Sequence, residues 1–220
     1  MKTFVLDIES EPREELIELF ADDIKAPKTY KDAEKIEMYL IEKKKEIVKM
    51  MSVDVDFCKI KCMALKEDDE PAKIVTLDYF IEKIYEQIKV IPETVSGYQE
   101  RRFFQLITFN GKSFDLPVII RECIRQKIGE GTDKRNQQDS VVRHLKSWCR
   151  KYNSDIHVDL MEVLCDGRPF RSLDKFSSIY LNWPKKEINF ETCTMEELQS
   201  HNVDDVEMTA AVAKVFKSLF

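Results

Sequence analysis

Residues 103–109, Phe-Phe-Gln-Leu-Ile-Thr-Phe, form a short apolar run bounded by turn signals. Its length suits a strand, and its lack of polar alternation suits one covered on both faces. A strand of that kind needs a sheet with helices packed against it, which places the chain in the α/β class. The rest of the chain reads accordingly. Residues 3–9 alternate, with Phe4, Leu6 and Ile8 on one face and Val5, Asp7 and Glu9 on the other. Residues 11–50 are helical in character and heavily charged, and Glu34–Lys49 makes one long amphipathic helix or two shorter ones. Phe57–Leu65 and Lys73–Leu77 read as hairpin partners across an acidic turn. A helix over 78–89 turns Phe80, Ile81, Ile84 and Ile88 inward. A second, from about Asp115 to Gln126, uses Leu116, Ile119, Ile120 and Cys123, and Gly129 and Gly131 mark its end. Residues 129–140 read as a mobile polar loop, followed by a helix over about 140–151 and a strand at Ile156–Leu160. Thr194 and Glu197 form a capping box that opens the last helix. Strand, helical arm, two strands and alternating helices and strands predict a central sheet flanked by helices.

Composition limits the alternatives. The chain has 220 residues, 43% hydrophobic and 35% charged, enough for one sizeable core. No stretch reaches the ~20 apolar residues of a membrane span. The first residues read as a strand carrying Asp7 and Glu9, so neither a signal peptide nor a membrane location is expected, and a cytoplasmic one is. Among the six cysteines only Cys58 and Cys62 are close, which gives no zinc pattern and suits free thiols in a reducing compartment. A net charge of −6 argues against broad duplex binding but not against gripping a few nucleotides at a strand end.

Three segments carry the chemistry. Asp7 and Glu9, two apart on a strand, face the same way with Cα atoms about 6.5–7 Å apart. Asp115 follows the apolar strand and the turn Asn110-Gly111-Lys112-Ser113, where a helix begins. His201 and Asp205 are four apart on a helix, hence on one face. Four carboxylates at one spot repel one another. The natural remedy is a pair of divalent cations, a device for phosphoryl transfer.

The order Asp-x-Glu, then Asp, then His-x-x-x-Asp resembles the DEDD, or DnaQ-like, superfamily of 3′–5′ exonucleases. The string Thr108-Phe109-Asn110-Gly111 followed by Phe114-Asp115-Leu116-Pro117 is similar to the second motif of one branch. That branch is related to the proofreading domain of family B DNA polymerases. Val206-Glu207-Met208-Thr209, His157-Val158-Asp159-Leu160 and Ser172-Leu173-Asp174-Lys175-Phe176 continue the likeness. The resemblance implies a ribonuclease-H-like fold with a five-stranded mixed sheet, and a single exonuclease domain over 1–220 with an arm inserted at about 11–56. It implies Mg²⁺ or Mn²⁺, two ions held by Asp7, Glu9, Asp115 and Asp205, with Asp7 bridging them and no metal on Asp159. It implies a standalone exonuclease that releases nucleoside monophosphates from DNA 3′ ends. Alternatives are the same reaction on RNA, or a silent module that binds nucleic acid or a replication or repair partner through the arm. Where that branch normally carries Tyr, this chain has His201, which either acts as a base at neutral pH or orients the attacking water. Asn110 also matches the branch. Phe114 stacks on a terminal base by analogy or fills the core. Lys134, Arg135, Arg143, Lys146, Arg150 and Lys151 are the candidates for a strip that tracks the backbone, and Lys112, Lys185 and Lys186 lie in loops that could border the groove.

Overall fold

The computed structural model describes residues 2–21, 24–91, 103–126, 132–150, 156–165 and 171–219. A five-stranded sheet runs β3-β2-β1-β4-β5, made of β1 (Lys2–Pro12), β2 (Cys58–Glu67), β3 (Lys73–Ile74), β4 (Phe104–Thr108) and β5 (His157–Asp159). β4 lies parallel to both β1 and β5, with Phe4 opposite Leu106 and Ile107 opposite Val158, while β2 and β3 are antiparallel. This is the mixed ribonuclease-H-like sheet that the sequence predicts. All five residues of β4 are buried, as its unbroken apolar run requires.

The chain divides into two compact units, Met1–Glu9 with Cys62–Phe220, and Ser10–Lys61. The arm expected at about 11–56 falls in the second. There, β1 continues to Pro12, and a turn of 3₁₀ helix (Glu14–Leu16) and α1 (Glu18–Ala21) follow. Glu34–Lys49 lies within one helix, α2 (Ala33–Met51), opened by the Asp32 carboxylate accepting from the Glu34 N–H at 3.0 Å. Glu11 bridges Lys59 and Lys61 at 3.1 and 3.5 Å.

The first unit holds α3 (Leu77–Lys89), α4 (Asp115–Gln126), α5 (Thr132–Trp148), α6 (Leu160–Cys165), α7 (Leu173–Leu181) and α8 (Met195–Val215). α4 has the predicted bounds. Several boundaries differ from expectation. The hairpin partner of β2 stops at Ile74, because the Thr76 hydroxyl accepts from the Tyr79 N–H at 3.2 Å and commits Leu77 to α3. The polar stretch placed in a loop over 129–140 is helical from Thr132. No glycine or proline interrupts it, and Gln138 is buried and donates to the Cys123 carbonyl, so a polar residue serves as a core contact. Gly129 and Gly131 lie outside the described residues. Val118 and Gln87 are buried where Ile120 and Ile88 are only half-buried. β5 is shorter than Ile156–Leu160, because Leu160 opens α6.

One hydrophobic cluster joins Val5, Ile107, Val158, Leu160, Phe176, Val206 and Val212. It locks β1, β4 and β5 to α7 and α8, and so fixes the sheet end where the acidic residues stand. All six cysteines are free. Among the described residues, no helix is long and apolar enough to cross a membrane.

Candidate active site

Asp7 and Glu9 leave β1 on one face while Leu6 and Ile8 are buried on the other. The segment between β4 and α4 brings in Asp115. Its turn is built on close approach: a Cβ on Gly111 would sit 2.3 Å from Thr108 Oγ1 and 2.5 Å from Thr108 Cβ. The Gly111 N–H donates to that hydroxyl at 3.1 Å, and the hydroxyl in turn meets His157 Nε2 at 2.8 Å. Asn110 has a φ of 70°, a left-handed conformation that asparagine tolerates. The Gly111 carbonyl then accepts from the Leu116 N–H at 2.9 Å, which starts α4 with Asp115 in its first turn.

Asp115 is 3% exposed, and its Oδ1 accepts from the Ile8 N–H at 3.1 Å. This bond ties the second motif to the first. Asp7 Oδ2 accepts from Asn202 Nδ2 at 2.6 Å, which ties the first motif to the third. The Thr194–Glu197 capping box is formed in both directions, and α8 carries His201, Asn202 and Asp205 inward on one face. His201 Nε2 lies 4.0 Å from Glu9 Oε1 and 3.8 Å from Asp205 Oδ2. Glu9, His201 and Asp205 each offer one donor atom, and these all lie within 4.8 Å of one another.

The electrostatics follow from this crowding. Burial pushes the Asp7 carboxyl well above its usual range, and Asp115, Asp205 and Glu9 push it further while Lys185 opposes. Burial also raises Asp115 to about 7 against the pull of the Ile8 N–H. His201 is lowered, mainly by burial and also by Lys185, with Asp205 and Asp204 acting against it. These are the marks of a site that holds unwanted negative charge. His201 Nε2 and Asp205 Oδ1 are buried without a hydrogen-bond partner, and such atoms are rare unless something else satisfies them. Oxygen donors with one imidazole suit a hard divalent cation.

All five catalytic candidates from the sequence therefore meet, although the tightest group includes His201 and omits Asp7 and Asp115. Three further contributors go beyond the sequence reading, in which Asn202 has no role, Lys185 stands at the groove border, and Asp159 is a landmark without a metal. Asn202 sits inside the third motif, and its place beside Asp7 follows from the helix face it shares with Asp205. Lys185 Nζ pairs with Asp205 Oδ2 at 2.5 Å, a contact that no local spacing announces. Asp159 is not in the tightest donor group, although its charge adds to the upward push on Asp115. It accepts from the Asn110 and Met161 N–H groups at 2.9 and 3.0 Å on one oxygen and from the Lys112 N–H at 2.9 Å on the other, bracing the turn before Asp115. Lys112 itself pairs with Glu162. Phe114 is half-buried. Arg143 and Lys146 stand exposed on α5, and Arg143 Nε donates to the Asp139 carbonyl at 3.2 Å. The side chains of Lys134 and Arg135, and Lys151 altogether, lie outside the described residues.

Residues 37–202 match a family described as a predicted 3′–5′ exonuclease related to the exonuclease domain of PolB. The chain belongs to this family. Asp7, Glu9 and Asp205 fall outside the matched span, so their place beside Asp115 and His201 comes from the geometry. Two curated DNA polymerases, from Thermococcus litoralis and Thermococcus aggregans, are 24% and 25% identical over 167 residues, which is 68% of this chain. The chain spans only 10% and 9% of their lengths. The fold is also similar to the family B DNA polymerase of Pyrobaculum calidifontis, with a TM-score of 0.53 at 13% identity, over 97% of this chain and 24% of that one.

Proposed function

We propose that this chain is a 3′–5′ exodeoxyribonuclease, one domain over residues 1–220 with the arm at about 11–56, that hydrolyses the terminal phosphodiester of DNA. The observation that carries this reading is the convergence of Glu9, His201 and Asp205 within 4.8 Å beside Asp7 and the buried Asp115. Mg²⁺ or Mn²⁺ fits the donor set, and two such ions on Asp7, Glu9, Asp115 and Asp205 would supply an activated water and stabilise the departing 3′ oxygen. Fully ionised, the four carboxylates carry −4, a charge hostile to a phosphodiester that two divalent ions would cancel. Asn202 and the Ile8 N–H hold Asp7 and Asp115 in one orientation, so the site is set before substrate arrives. His201, neutral at pH 7 because burial disfavours its charged form, can accept a proton from the attacking water or orient it.

The test is incubation of 5′-labelled single-stranded DNA, duplex DNA and RNA with Mg²⁺ or Mn²⁺. Laddered shortening of DNA from the 3′ end is expected, with none in Asp7→Ala or Asp205→Asn. Shortening confined to RNA would move the substrate to the ribose polymer. No shortening of any substrate would leave only a silent binding module.

A further inference from the structure

The segment between α7 and α8 presents two large aromatic side chains to solvent, and one of them, Phe190, meets the acidic site at His201. Trp183 is 41% exposed and Phe190 is 57% exposed. Neither is there by slack. Lys185, two residues after Trp183, donates its N–H to Asp174 Oδ1 at 2.9 Å and places its Nζ on Asp205. Phe190 stands in a closed turn, where Asn189 Oδ1 accepts from the Glu191 N–H at 3.0 Å and the Asn189 carbonyl accepts from the Thr192 N–H at 3.1 Å. Its ring meets the His201 ring nearly at right angles, with centroids 5.5 Å apart. A cavity of about 530 Å³ opens between this segment and the first turns of α8, and its wall carries Lys186 and His201 together with four carboxylates, Glu187, Glu196, Glu197 and Asp204.

An exposed aromatic packed against a candidate catalytic group has ring surface to offer a base. Lys185 is paired with Asp205 and Glu187 follows, so Lys186 is the cation this segment has to offer a phosphate. Stacked bases on aromatic rings with phosphates on lysines is the recipe for holding a single strand without reading its sequence. We infer that residues 182–190 form a cradle for the unpaired 3′ end of a nucleic acid, with Phe190 and Trp183 stacking on bases and Lys186 meeting the backbone. This rests on the exonuclease reading and adds how the strand is held there.

The chain's two tryptophans make the test direct, because Trp148 is 4% exposed and Trp183 is open. The probe is a single-stranded DNA oligonucleotide whose 3′ linkages are phosphorothioate, titrated with Ca²⁺ present while tryptophan emission is followed. Saturable quenching is expected in the wild type and not in Trp183→Phe, which keeps a ring but loses the reporter. Phe190→Ala should bind about 5- to 100-fold more weakly, and Phe190→Tyr should recover most of that. On cleavable DNA the Phe190→Ala loss should fall on KM more than on kcat. If the wild type digests DNA while quenching is absent and Phe190→Ala binds normally, the cradle is wrong and the exonuclease reading stands. If quenching and the Phe190 effect are present but no substrate is cut with Mg²⁺ or Mn²⁺, the cradle stands and the exonuclease reading falls. Absence of both binding and cleavage removes both.

Discussion

His201 carries the sharpest chemical question. A histidine on a polar surface titrates near 6.5, and a neighbouring carboxylate ordinarily raises it. Here burial outweighs Asp205 and Asp204, and Lys185 adds to the downward pull. The imidazole therefore stays neutral as pH falls past its ordinary value, with Nε2 lacking a partner and 3.8 Å from Asp205. A proton acceptor at that point is worth about 10²–10⁴ in rate. His201→Ala should lower kcat by about that factor, and at saturating metal the acid limb of the pH–rate profile should move or vanish. Unchanged rates in His201→Ala from pH 6 to 9 would take the imidazole out of the mechanism.

At the scale of elements, one turn decides whether Asp115 reaches the site. Residues 108–112 join β4 to α4 through Thr108, His157 and Asp159, and all three are buried. Gly111 tolerates this only because it lacks a Cβ, for Thr108 is β-branched, stiff and engaged by His157, so it cannot withdraw. Gly111→Ala should cost about 1–3 kcal/mol. The melting temperature should drop by about 2–10 °C and Asp115 should be displaced, which differential scanning calorimetry and the exonuclease assay would both register. An unchanged melting temperature would mean the turn is looser than drawn. The same turn shows what a sequence reveals. Asn110, Gly111 and Asp115 are visible as a turn and a helix start, because local chemistry sets them. That Asp159 braces the turn from β5 was not visible, since only parallel pairing of β4 with β5 brings them together. Periodicity located β1 and α4, an unbroken apolar run located β4, and a capping box located the start of α8. Periodicity failed at 132–140, where the helix begins in a polar stretch that buries Gln138, ahead of the apolar Val141, Leu145 and Trp148. Lys185 on Asp205 was hidden for a similar reason, since its partner lies on another element.

Across the whole molecule, the acidic site opposes the fold that builds it. Asp115 ionises at about 7 when folded, against 3.8 for the ordinary group. Between those values the folded chain keeps a proton that the unfolded chain has lost, so with metal withheld this group makes stability fall as pH rises from about 4 to about 7. Asp7, also raised, acts in the same direction. A divalent cation reverses the penalty by replacing those protons, and below the folded pKa each unit of pH weakens its binding by about 1.4 kcal/mol for every proton displaced. Cation at about 100 times its Kd stabilises by about 2.7 kcal/mol, or about 5–10 °C for a domain of this size. Melting curves taken with Mg²⁺ and with a chelator, from pH 5.5 to 8.5, should show that upward shift at pH 8 and much less of it at pH 6. Asp115→Asn should melt higher than the wild type in chelator at pH 8, because it removes a buried charge, and should gain less from Mg²⁺. A shift of equal size at both pH values would mean that the cation binds without displacing protons, and no shift at either would mean that these carboxylates do not hold it. Another buried titrating group, His157, is pushed down to about 3 by burial and by Lys112. It destabilises only as pH falls below 6.5, and it does so with or without Mg²⁺, so the difference between the two curves isolates the acidic site.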